Sequence, residues 1–339
     1  MERTFFLFIM GLFSFIMAGN QSVYHVPIQG TIDMGLPYYL QRVIDQAESE
    51  EAAAIIFDID TFGGRVDAAT QMKDIILDTK VPTVAFINKR AISAGALISL
   101  SCDSIFMTAG ASIGAATAVD LQGEKASEKV ISYMREEMAS TAEANNRSRD
   151  VACAMVDEEL SISFIVNSQG DTLTSKEVEG FSEGKLITLS TNLALLLGIA
   201  DEELNNIDDI LSHMNLVDVE KVEIKESWSE MLVRFLTNPT VAPLFMSLGM
   251  LGLFFEIKSP GFGVPGILGL TCMALFFGSH LLVGLADITE FIILFSGILL
   301  ILLEILIIPG FGVAGISGIV LCFYAFFKML IGVYPSPTD

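Results

Sequence analysis

Hydrophobic and polar positions alternate in short blocks over the first two thirds of the chain and merge into long apolar runs over the last third. Between about 21 and 227, apolar runs typical of buried strands alternate with stretches that have apolar residues at helical spacing. Strands are predicted at 53–59, 82–87 and 104–107, and helices at 66–77, 93–100 and 125–145. The alternation predicts an α/β domain with a largely parallel sheet over residues 21–227.

Four long apolar runs follow this domain, at roughly 238–257, 265–285, 288–307 and 312–332. Each approaches the ~20 residues that a membrane-spanning helix needs. Charged residues are sparse from position 259 onward: Asp287, Glu290, Glu304, Lys328 and Asp339. Because charges are costly in hydrocarbon, this pattern predicts a membrane domain of about four transmembrane helices over residues 238–332.

An internal repeat lies within the predicted membrane domain. Residues 260–269 read PGFGVPGILG and residues 309–318 read PGFGVAGISG, with acidic residues Glu256 and Glu304 ahead of the two copies. A Pro-Gly pair ends one helix and lets the chain reverse before the next, so the repeat predicts a duplicated helical hairpin. An acidic residue inside an apolar run indicates either a functional role or a place at the membrane interface, and Glu304 fits both.

The first 19 residues have the features of a secretory signal peptide. Arg3 precedes an apolar run from 5 to 17, and small residues follow the run. The segment is either cleaved or kept as an N-terminal anchor, and in both cases the following domain is exported. We therefore expect an integral protein of a bacterial-type inner membrane, with the α/β domain on the exported side.

Charge and composition exclude several classes of function. The net charge is −22, and an acidic chain without clustered Lys and Arg is not expected to bind nucleic acid. The four cysteines form no CxxC pair, and whether Cys102 and Cys153 form a disulfide is left open by the sequence. None of the three histidines has a carboxylate or cysteine partner at a recognisable spacing. We therefore expect neither a metal site, nor a Ser-His-Asp triad, nor a cofactor.

A Gly-Gly turn is the first candidate for chemistry. Residues 60–65, DTFGGR, directly follow the predicted strand 53–59 and open the next helix. Backbone amides at such a place are suited to hold the oxyanion of a tetrahedral intermediate. An ordinary strand-to-helix turn explains the same pattern.

A serine in a second strand-to-helix turn is the other candidate. Residues 91–96, AISAGA, place Ser93 among small residues that let a substrate backbone approach closely. The Ala94 amide would lie beside an oxyanion formed by attack from Ser93. A serine that caps the helix is the alternative, because serine is common at N-cap positions.

The two turns together resemble those of the Clp-protease and signal-peptide-peptidase superfamily, and more closely those of the membrane-bound serine proteases of the NfeD family. The resemblance covers almost the whole chain. The other stretches that carry it are 112–116 (SIGAA), 141–147 (TAEANNR), 154–158 (AMVDE), Trp228 with 233–239 (VRFLTNP), and the PGFGV repeat.

The resemblance implies a crotonase-like (ClpP-type) fold with a Ser–Lys dyad, followed by the α-helical transmembrane bundle. Carried over to this chain, Ser93 is the nucleophile, and Gly64 and Ala94 supply the oxyanion-hole amides. Gly63 and Gly95 support the two turns. Two lysines match the general base: Lys129 matches best and Lys125 is the second candidate. The base must be neutral, which apolar surroundings favour by lowering the pKa of a lysine.

The function that the resemblance implies is a membrane-anchored serine endopeptidase. It would cleave apolar segments of membrane-associated proteins and take stomatin-like proteins as substrates or complex partners. We also expect a homo-oligomer in contact with membrane lipid, and no cofactor. The alternative is a non-catalytic scaffold for stomatin-like partners with a degenerate protease domain. Family members often carry a soluble β-barrel domain after the last span, and we expect none here because the sequence stops at Asp339.

Overall fold

The computed structural model describes residues 22–119, 123–166, 170, 172–174, 181–216, 218–238, 240–258, 263–283, 288–306 and 312–331. The predicted signal segment, residues 1–19, lies outside this part of the chain. Two compact units are present: residues 1–32 with 40–225, and residues 33–39 with 226–339.

The first unit is organised by an eight-stranded sheet. The strands in chain order are β1 (Ser22–Ile32), β2 (Ala54–Gly64), β3 (Thr83–Ile92), β4 (Ser104–Met107), β5 (Ser112–Gly114), β6 (Phe164–Val166), β7 (Thr172–Thr174), β8 (Thr188–Ser190), β9 (Glu202–Glu203) and β10 (Glu220–Glu223). Their order in the sheet is β10-β1-β2-β3-β4-β9, with β5 beside β3. All these pairs are parallel, whereas β8 pairs with β5 antiparallel, and β6 and β7 form a separate hairpin.

Helices connect the strands and continue into the second unit. In chain order they are α1 (Leu36–Ser49), α2 (Val66–Asp78), α3 (Ala94–Leu100), α4 (Glu128–Ala144), α5 (Arg149–Ala154), α6 (Thr191–Leu196), α7 (Ile207–His213), α8 (Trp228–Thr237), α9 (Ala242–Lys258), α10 (Val264–Leu282), α11 (Ile288–Leu306) and α12 (Val313–Ile331). Parallel strands joined by helices confirm the predicted α/β class.

Two strands run further than their apolar cores predict. β2 continues past position 59 to Gly64, and β3 continues past position 87 to Ile92. Apart from Phe62 and Ile92, both extensions consist of polar and small residues, so the hydrophobic run ends before the strand does. Backbone pairing maintains the strands, because Gly64 stays in register with Ile32 of β1. The Gly-Gly segment is therefore the end of a strand, and the helix after it starts at Val66.

A buried core cluster lies between the sheet and α7. Val23, Ile56 and Phe86 from three adjacent strands pack with Ile210 and Leu211 of the helix, and all five are almost fully buried. Burial of each such side chain contributes roughly 1.5–3 kcal/mol before chain entropy is counted. The core fixes β1, β2 and β3, whose carboxyl ends carry the two turns singled out in the sequence.

Arg147 is a buried cation that ties several segments of the first unit together. Its Nε donates to the Ile199 carbonyl at 3.1 Å, and its Nη1 donates to the Cys102 carbonyl at 2.9 Å. Nη2 donates to the Asp103 carbonyl at 3.1 Å and approaches the Asp201 carboxylate at 3.4 Å. Removal of the guanidinium leaves three carbonyls without this donor.

We expect Arg147→Met to lower the free energy of unfolding by about 3 kcal/mol, because buried acceptors lose their partner. Arg149→Met is the matched control: Arg149 is exposed and pairs with Glu136 and Glu143 at 2.6 and 3.1 Å. Exposed ion pairs contribute about 0–1 kcal/mol, so this variant should stay near wild type. Chemical unfolding of the detergent-solubilised chain compares the two, and equal losses would contradict the role given to Arg147.

The second unit contains two helical hairpins, α9 with α10 and α11 with α12. Each copy of the PGFGV repeat supplies a glycine at the helix contact. A Cβ on Gly269 would lie 2.8 Å from the Leu253 amide nitrogen, and one on Gly318 would lie 2.5 Å from the Gly297 carbonyl oxygen. Only glycine permits such close backbone approach, which is a common basis of helix association in membranes.

The acidic residue ahead of each repeat caps the following helix. The two carboxyl oxygens of Glu256 accept from the amides of Gly263 and Gly266 at 2.6 and 2.8 Å. Glu304, which is 2% exposed, accepts from the amides of Gly312 and Gly315 in the same way. The first amides of a helix have no intrahelical acceptor, so these carboxyl groups satisfy them. The structure thus gives Glu304 a capping role in its hairpin.

Length and hydropathy distinguish the four apolar helices. Among the described helices, Val264–Leu282 alone is long and apolar enough to cross a membrane by itself. Trp228–Thr237 and Ala242–Glu256 meet the criterion together, with a bend of 76° between them. Thr289–Ile301 and Val313–Lys328 are shorter apolar stretches. That the chain has about four transmembrane helices stays a prediction from the sequence.

Candidate functional site

The two turns lie side by side at the ends of adjacent strands. Thr61 of β2 is in register with Ala91 of β3, and the strands end three residues and one residue later, at Gly64 and Ile92. Ser93 follows immediately, between the end of β3 and the start of α3. The parallel sheet therefore brings the Gly-Gly segment to the serine.

Ser93 has an unusual backbone conformation, with φ 56° and ψ −118°. Non-glycine residues rarely adopt positive φ, and such strain is concentrated at functional sites. Although Ser93 occupies the N-cap position of α3, its side chain makes no capping hydrogen bond. The Ser93 amide donates to the Gly114 carbonyl at 2.9 Å, which holds the turn against β5. A capping role for the side chain therefore does not explain this serine.

The two turns interlock through their glycines. A Cβ on Gly63, whose φ is +104°, would lie 2.6 Å from the Ser93 Cβ and 3.1 Å from its Oγ. A Cβ on Gly95 would lie 2.5 Å from the Thr61 Cγ2. Each turn thus has a glycine where a side chain of the other turn packs. The space around the Ser93 hydroxyl depends on Gly63 having no side chain.

Thr61 holds the Gly63-Gly64 segment in place through two hydrogen bonds of its hydroxyl group. Its Oγ1 donates to the Gly30 carbonyl at 2.5 Å and accepts from the Gly63 amide at 2.9 Å. The Gly63 amide is consequently hydrogen-bonded to Thr61. Gly64 lies so close to β1 that a Cβ would collide with the Ile32 carbonyl oxygen. Ala94 is the first residue of α3, where the helix itself provides no acceptor for the amide.

An exposed aromatic ring stands next to the interlocked turns. Phe62 directly precedes Gly63 and is 72% exposed. The Arg90 guanidinium lies over the ring, 4.4 Å from its centroid, and Arg90 Nε pairs with Asp60 Oδ1 at 3.1 Å. A cation over an aromatic face contributes about 0.5–1 kcal/mol at an exposed site, so the stack holds the ring in place. No pattern along the chain points to this pair of side chains.

The two candidate lysines lie on and before α4. Lys129 is the second residue of this helix and is exposed, whereas Val130, Ile131 and Met134 face the core as the helical pattern indicates. The Ser93 hydroxyl makes no hydrogen bond to Lys129 or to any other residue that the structure describes. No hydrogen bond therefore joins Ser93 to Lys129 among the described residues.

Lys125 is held by two carboxylates. Its Nζ lies 3.5 Å from the carboxylate oxygens of both Glu158 and Glu159. Partial desolvation lowers the pKa of Lys125, but the attraction of these carboxylates outweighs it and raises the pKa above its usual value. A lysine that retains its proton more firmly is a poorer general base.

The sequence predicts neither a metal site nor a Ser-His-Asp triad, and it leaves the pairing of Cys102 with Cys153 open. The fold brings His25 Nε2 to 3.4 Å from Asp58 Oδ2, a pairing that spacing along the chain did not reveal. Both residues line a cavity of about 560 Å³ whose lining excludes Ser93. Cys102 and Cys153 are free thiols, and burial raises the pKa of the Cys102 thiol. Among the described residues, no three His, Cys, Asp or Glu side chains converge in a metal-binding group.

Comparison with known sequences identifies the parts of the chain. Residues 22–226 match the N-terminal domain of NfeD1b, and residues 240–338 match the NfeD integral membrane domain. Membrane protein NfeD1b of Bacillus subtilis is 36% identical over 315 residues, which are 93% of this chain and 68% of the relative. A membrane-bound protease of Pyrococcus horikoshii, PH1510, is 27% identical over 262 residues, which are 75% of this chain and 57% of that protein.

Solved structures agree with the fold of the first unit. A serine-to-alanine variant of the stomatin-specific membrane-bound protease 1510-N superposes with a TM-score of 0.51 at 23% identity, covering 62% of this chain and all of that one. A lysine-to-alanine variant of the same protease, in complex with a substrate peptide, gives a TM-score of 0.53 at 22% identity over 64% of this chain and 98% of that one. At this identity the likeness shows the fold. The two matched domains and the 36% identity to NfeD1b show that this chain belongs to the NfeD family of membrane proteins.

Proposed function

We propose that this chain is a membrane-anchored serine endopeptidase with Ser93 as its nucleophile. One observation carries the proposal: Ser93 is held in a strained conformation between strand and helix, its hydroxyl faces Gly63, and its side chain caps nothing. A strained backbone without a structural use for the side chain is typical of a site under functional constraint. The family relationship and the fold support this assignment.

The chemistry follows from the two turns. The Ser93 Oγ attacks the carbonyl carbon of a peptide bond, and its proton passes to the general base. The Gly64 and Ala94 amides stabilise the oxyanion that forms. Gly63 keeps the nucleophile accessible and Gly95 positions α3, whereas the Gly63 amide is already engaged by Thr61. The proton then moves to the leaving amine nitrogen, and water hydrolyses the ester of Ser93 in a second step.

Lys129 is the general base in this proposal. It matches the family's base best along the sequence, whereas the Lys125 Nζ lies 3.5 Å from the carboxylate oxygens of Glu158 and Glu159. Lys129 also stands in the first turn of α4, where a small movement of the helix start displaces its side chain. Because no hydrogen bond joins Lys129 to Ser93 among the described residues, their dyad forms when substrate or a second copy of the chain adds to the site.

The substrate we propose is an apolar segment of a membrane-associated protein. Phe62 offers an exposed ring beside the turn that faces Ser93. The solved relatives named above are described as stomatin-specific. We extend that partner to this chain as a stomatin-like protein, encountered on the exported side of the membrane by a homo-oligomer.

The lysine assignment has its own test. We expect Lys129→Ala to lower the cleavage rate of an apolar peptide by about a hundredfold or more, which is the usual scale of general-base catalysis. Lys125→Ala should cut within a fewfold of wild type. The assay uses the full chain in lipid vesicles. If Lys125→Ala alone is inactive, the base is Lys125.

A second function is favoured by the lack of a hydrogen bond between Ser93 and either lysine among the described residues. In that case the chain is a non-catalytic scaffold that binds stomatin-like partners through a degenerate protease domain. A scaffold binds the apolar peptide without cutting it, and Ser93→Ala leaves that binding unchanged. Product analysis of the vesicle assay distinguishes the two functions, because only the endopeptidase yields fragments that disappear in Ser93→Ala.

A further inference from the structure

Helix α8 presents a largely exposed apolar face, on which Phe235 alone of the four residues below makes a ring contact among the described residues, with Phe245 at 6.3 Å between centroids. Trp228, Met231, Leu232 and Phe235 are exposed by 75%, 54%, 41% and 53%. Their spacing of three, one and three residues places all four on one side of an α-helix. Large apolar side chains grouped in this way on a protein surface mark a site of interaction.

The orientation of this face is fixed from the opposite side of α8. Arg234 Nε donates to the Asp33 carboxylate at 2.8 Å, and the guanidinium also pairs with Glu226. Gly35 is adjacent, and a Cβ there would collide with the Arg234 side chain. These contacts lie within the second unit, and they hold the polar side of the helix so that the apolar side faces outward.

The start of α8 is equally well defined. The Ser227 hydroxyl accepts from the Glu230 amide at 3.2 Å, and the Glu230 carboxylate accepts from the Ser227 amide at 2.6 Å, which makes a capping box. A capped ten-residue helix keeps its apolar residues aligned. The face is consequently a preformed surface.

The direction of α8 indicates what covers this face. Its axis makes an angle of 76° with that of α9, which starts at Ala242, with four residues between the two helices. The matched membrane domain begins at residue 240. A helix nearly perpendicular to the first membrane helix lies close to the plane of the bilayer. Tryptophan is enriched at this depth, where its ring is apolar and its N–H remains hydrated.

We propose that α8 is an in-plane interfacial helix, with Trp228, Met231, Leu232 and Phe235 inserted at the boundary between lipid headgroups and acyl chains. Such helices bury their apolar face about 5–10 Å into this boundary. Continuity with the membrane domain favours lipid over a second copy of the chain as the occupant. The proposal concerns how the chain is held at the bilayer and does not depend on Ser93 chemistry.

Trp228 is the single tryptophan of the chain, so its fluorescence reports on the surroundings of α8 without a label. The full wild-type chain is reconstituted in phosphatidylcholine–phosphatidylglycerol vesicles, with bromine placed on the lipids near the headgroup or near the chain terminus. Fluorescence is then quenched from water with iodide. The control chain combines Trp228→Phe with Phe164→Trp, because Phe164 is 61% exposed in the first unit.

We expect shallow bromolipids to quench at least about half of the Trp228 emission and deep bromolipids to quench clearly less, as an interfacial depth of ~5–10 Å requires. Iodide should quench Trp228 at least threefold less efficiently than it quenches the control, on the order of the protection that lipid burial gives. Stronger quenching by deep bromolipids would make α8 part of a span. Protection from both iodide and bromolipid would mean cover by another protein surface, and full access to iodide would mean a free face. Each of these three results overturns the proposal.

Discussion

Replacement of Ser93 by alanine is expected to lower the cleavage of an apolar peptide by a factor of about a thousand or more, since loss of the nucleophile removes the covalent route altogether. The fold should be unaffected, because the Ser93 side chain makes no capping bond. Alanine also retains the Cβ and the same backbone requirement. We therefore expect a normal unfolding temperature beside the lost activity.

Ser99→Ala is the matched control for this result. Ser99 lies on the same helix α3, is fully buried, and donates its hydroxyl proton to the Gly95 carbonyl at 2.7 Å. Its loss should cost about 1 kcal/mol of stability and leave cleavage intact. If Ser93→Ala cuts as fast as wild type, Ser93 is not the nucleophile.

Gly63→Ala is expected to have the second largest effect, lowering cleavage by about a hundredfold or more because misplaced reacting groups lose orientation. The added Cβ would lie 2.6 Å from the Ser93 Cβ, so the serine or the end of β2 must move. The backbone is also unfavourable for alanine at φ +104°. This backbone strain lowers the free energy of unfolding by about 1–2 kcal/mol. Peptide cleavage and thermal unfolding of the same preparation report the two effects.

Gly110→Ala is the control that distinguishes the effect of backbone strain from the effect of a collision with Ser93. Gly110 also has a positive φ, +78°, but a Cβ there meets no atom within 4 Å. This variant should lose stability and retain cleavage. Equal activity of the Gly63 and Gly110 variants would show that the contact between Gly63 and Ser93 is irrelevant to the reaction.

Periodicity along the chain predicted the fold class and several elements well. The strand at 104–107 has the predicted bounds, and the apolar face of α4 points to the core. These features depend on short-range patterns of buried side chains, which the sequence displays directly. The ends of β2 and β3 were harder to predict from the sequence, because backbone pairing with neighbouring strands keeps their polar and glycine residues in the sheet.

The candidate site was predictable as a pair of motifs but not as a geometry. The resemblance to a family joined Gly63-Gly64 to Ser93, whereas the strained φ of Ser93 arises from its neighbours in space. The ion pair of Arg234 with Asp33 joins residues 201 positions apart, so no local sequence pattern predicts it. The structure also corrects the start of the helix that carries Lys129, from 125 to Glu128, because Lys125 pairs with Val119 in an antiparallel bridge and the Ala126 amide donates to the Ala118 carbonyl.

The central claim, that Ser93 is an acyl-forming nucleophile, is tested most directly by trapping the intermediate. The full chain in vesicles is mixed with an activated ester of an apolar acyl peptide, quenched in acid and digested for mass spectrometry. We expect the acyl mass on the fragment that contains Ser93, and no adduct on that fragment in Ser93→Ala. Release of product by the wild-type chain without any adduct at Ser93, or with the adduct on another residue, would contradict this account.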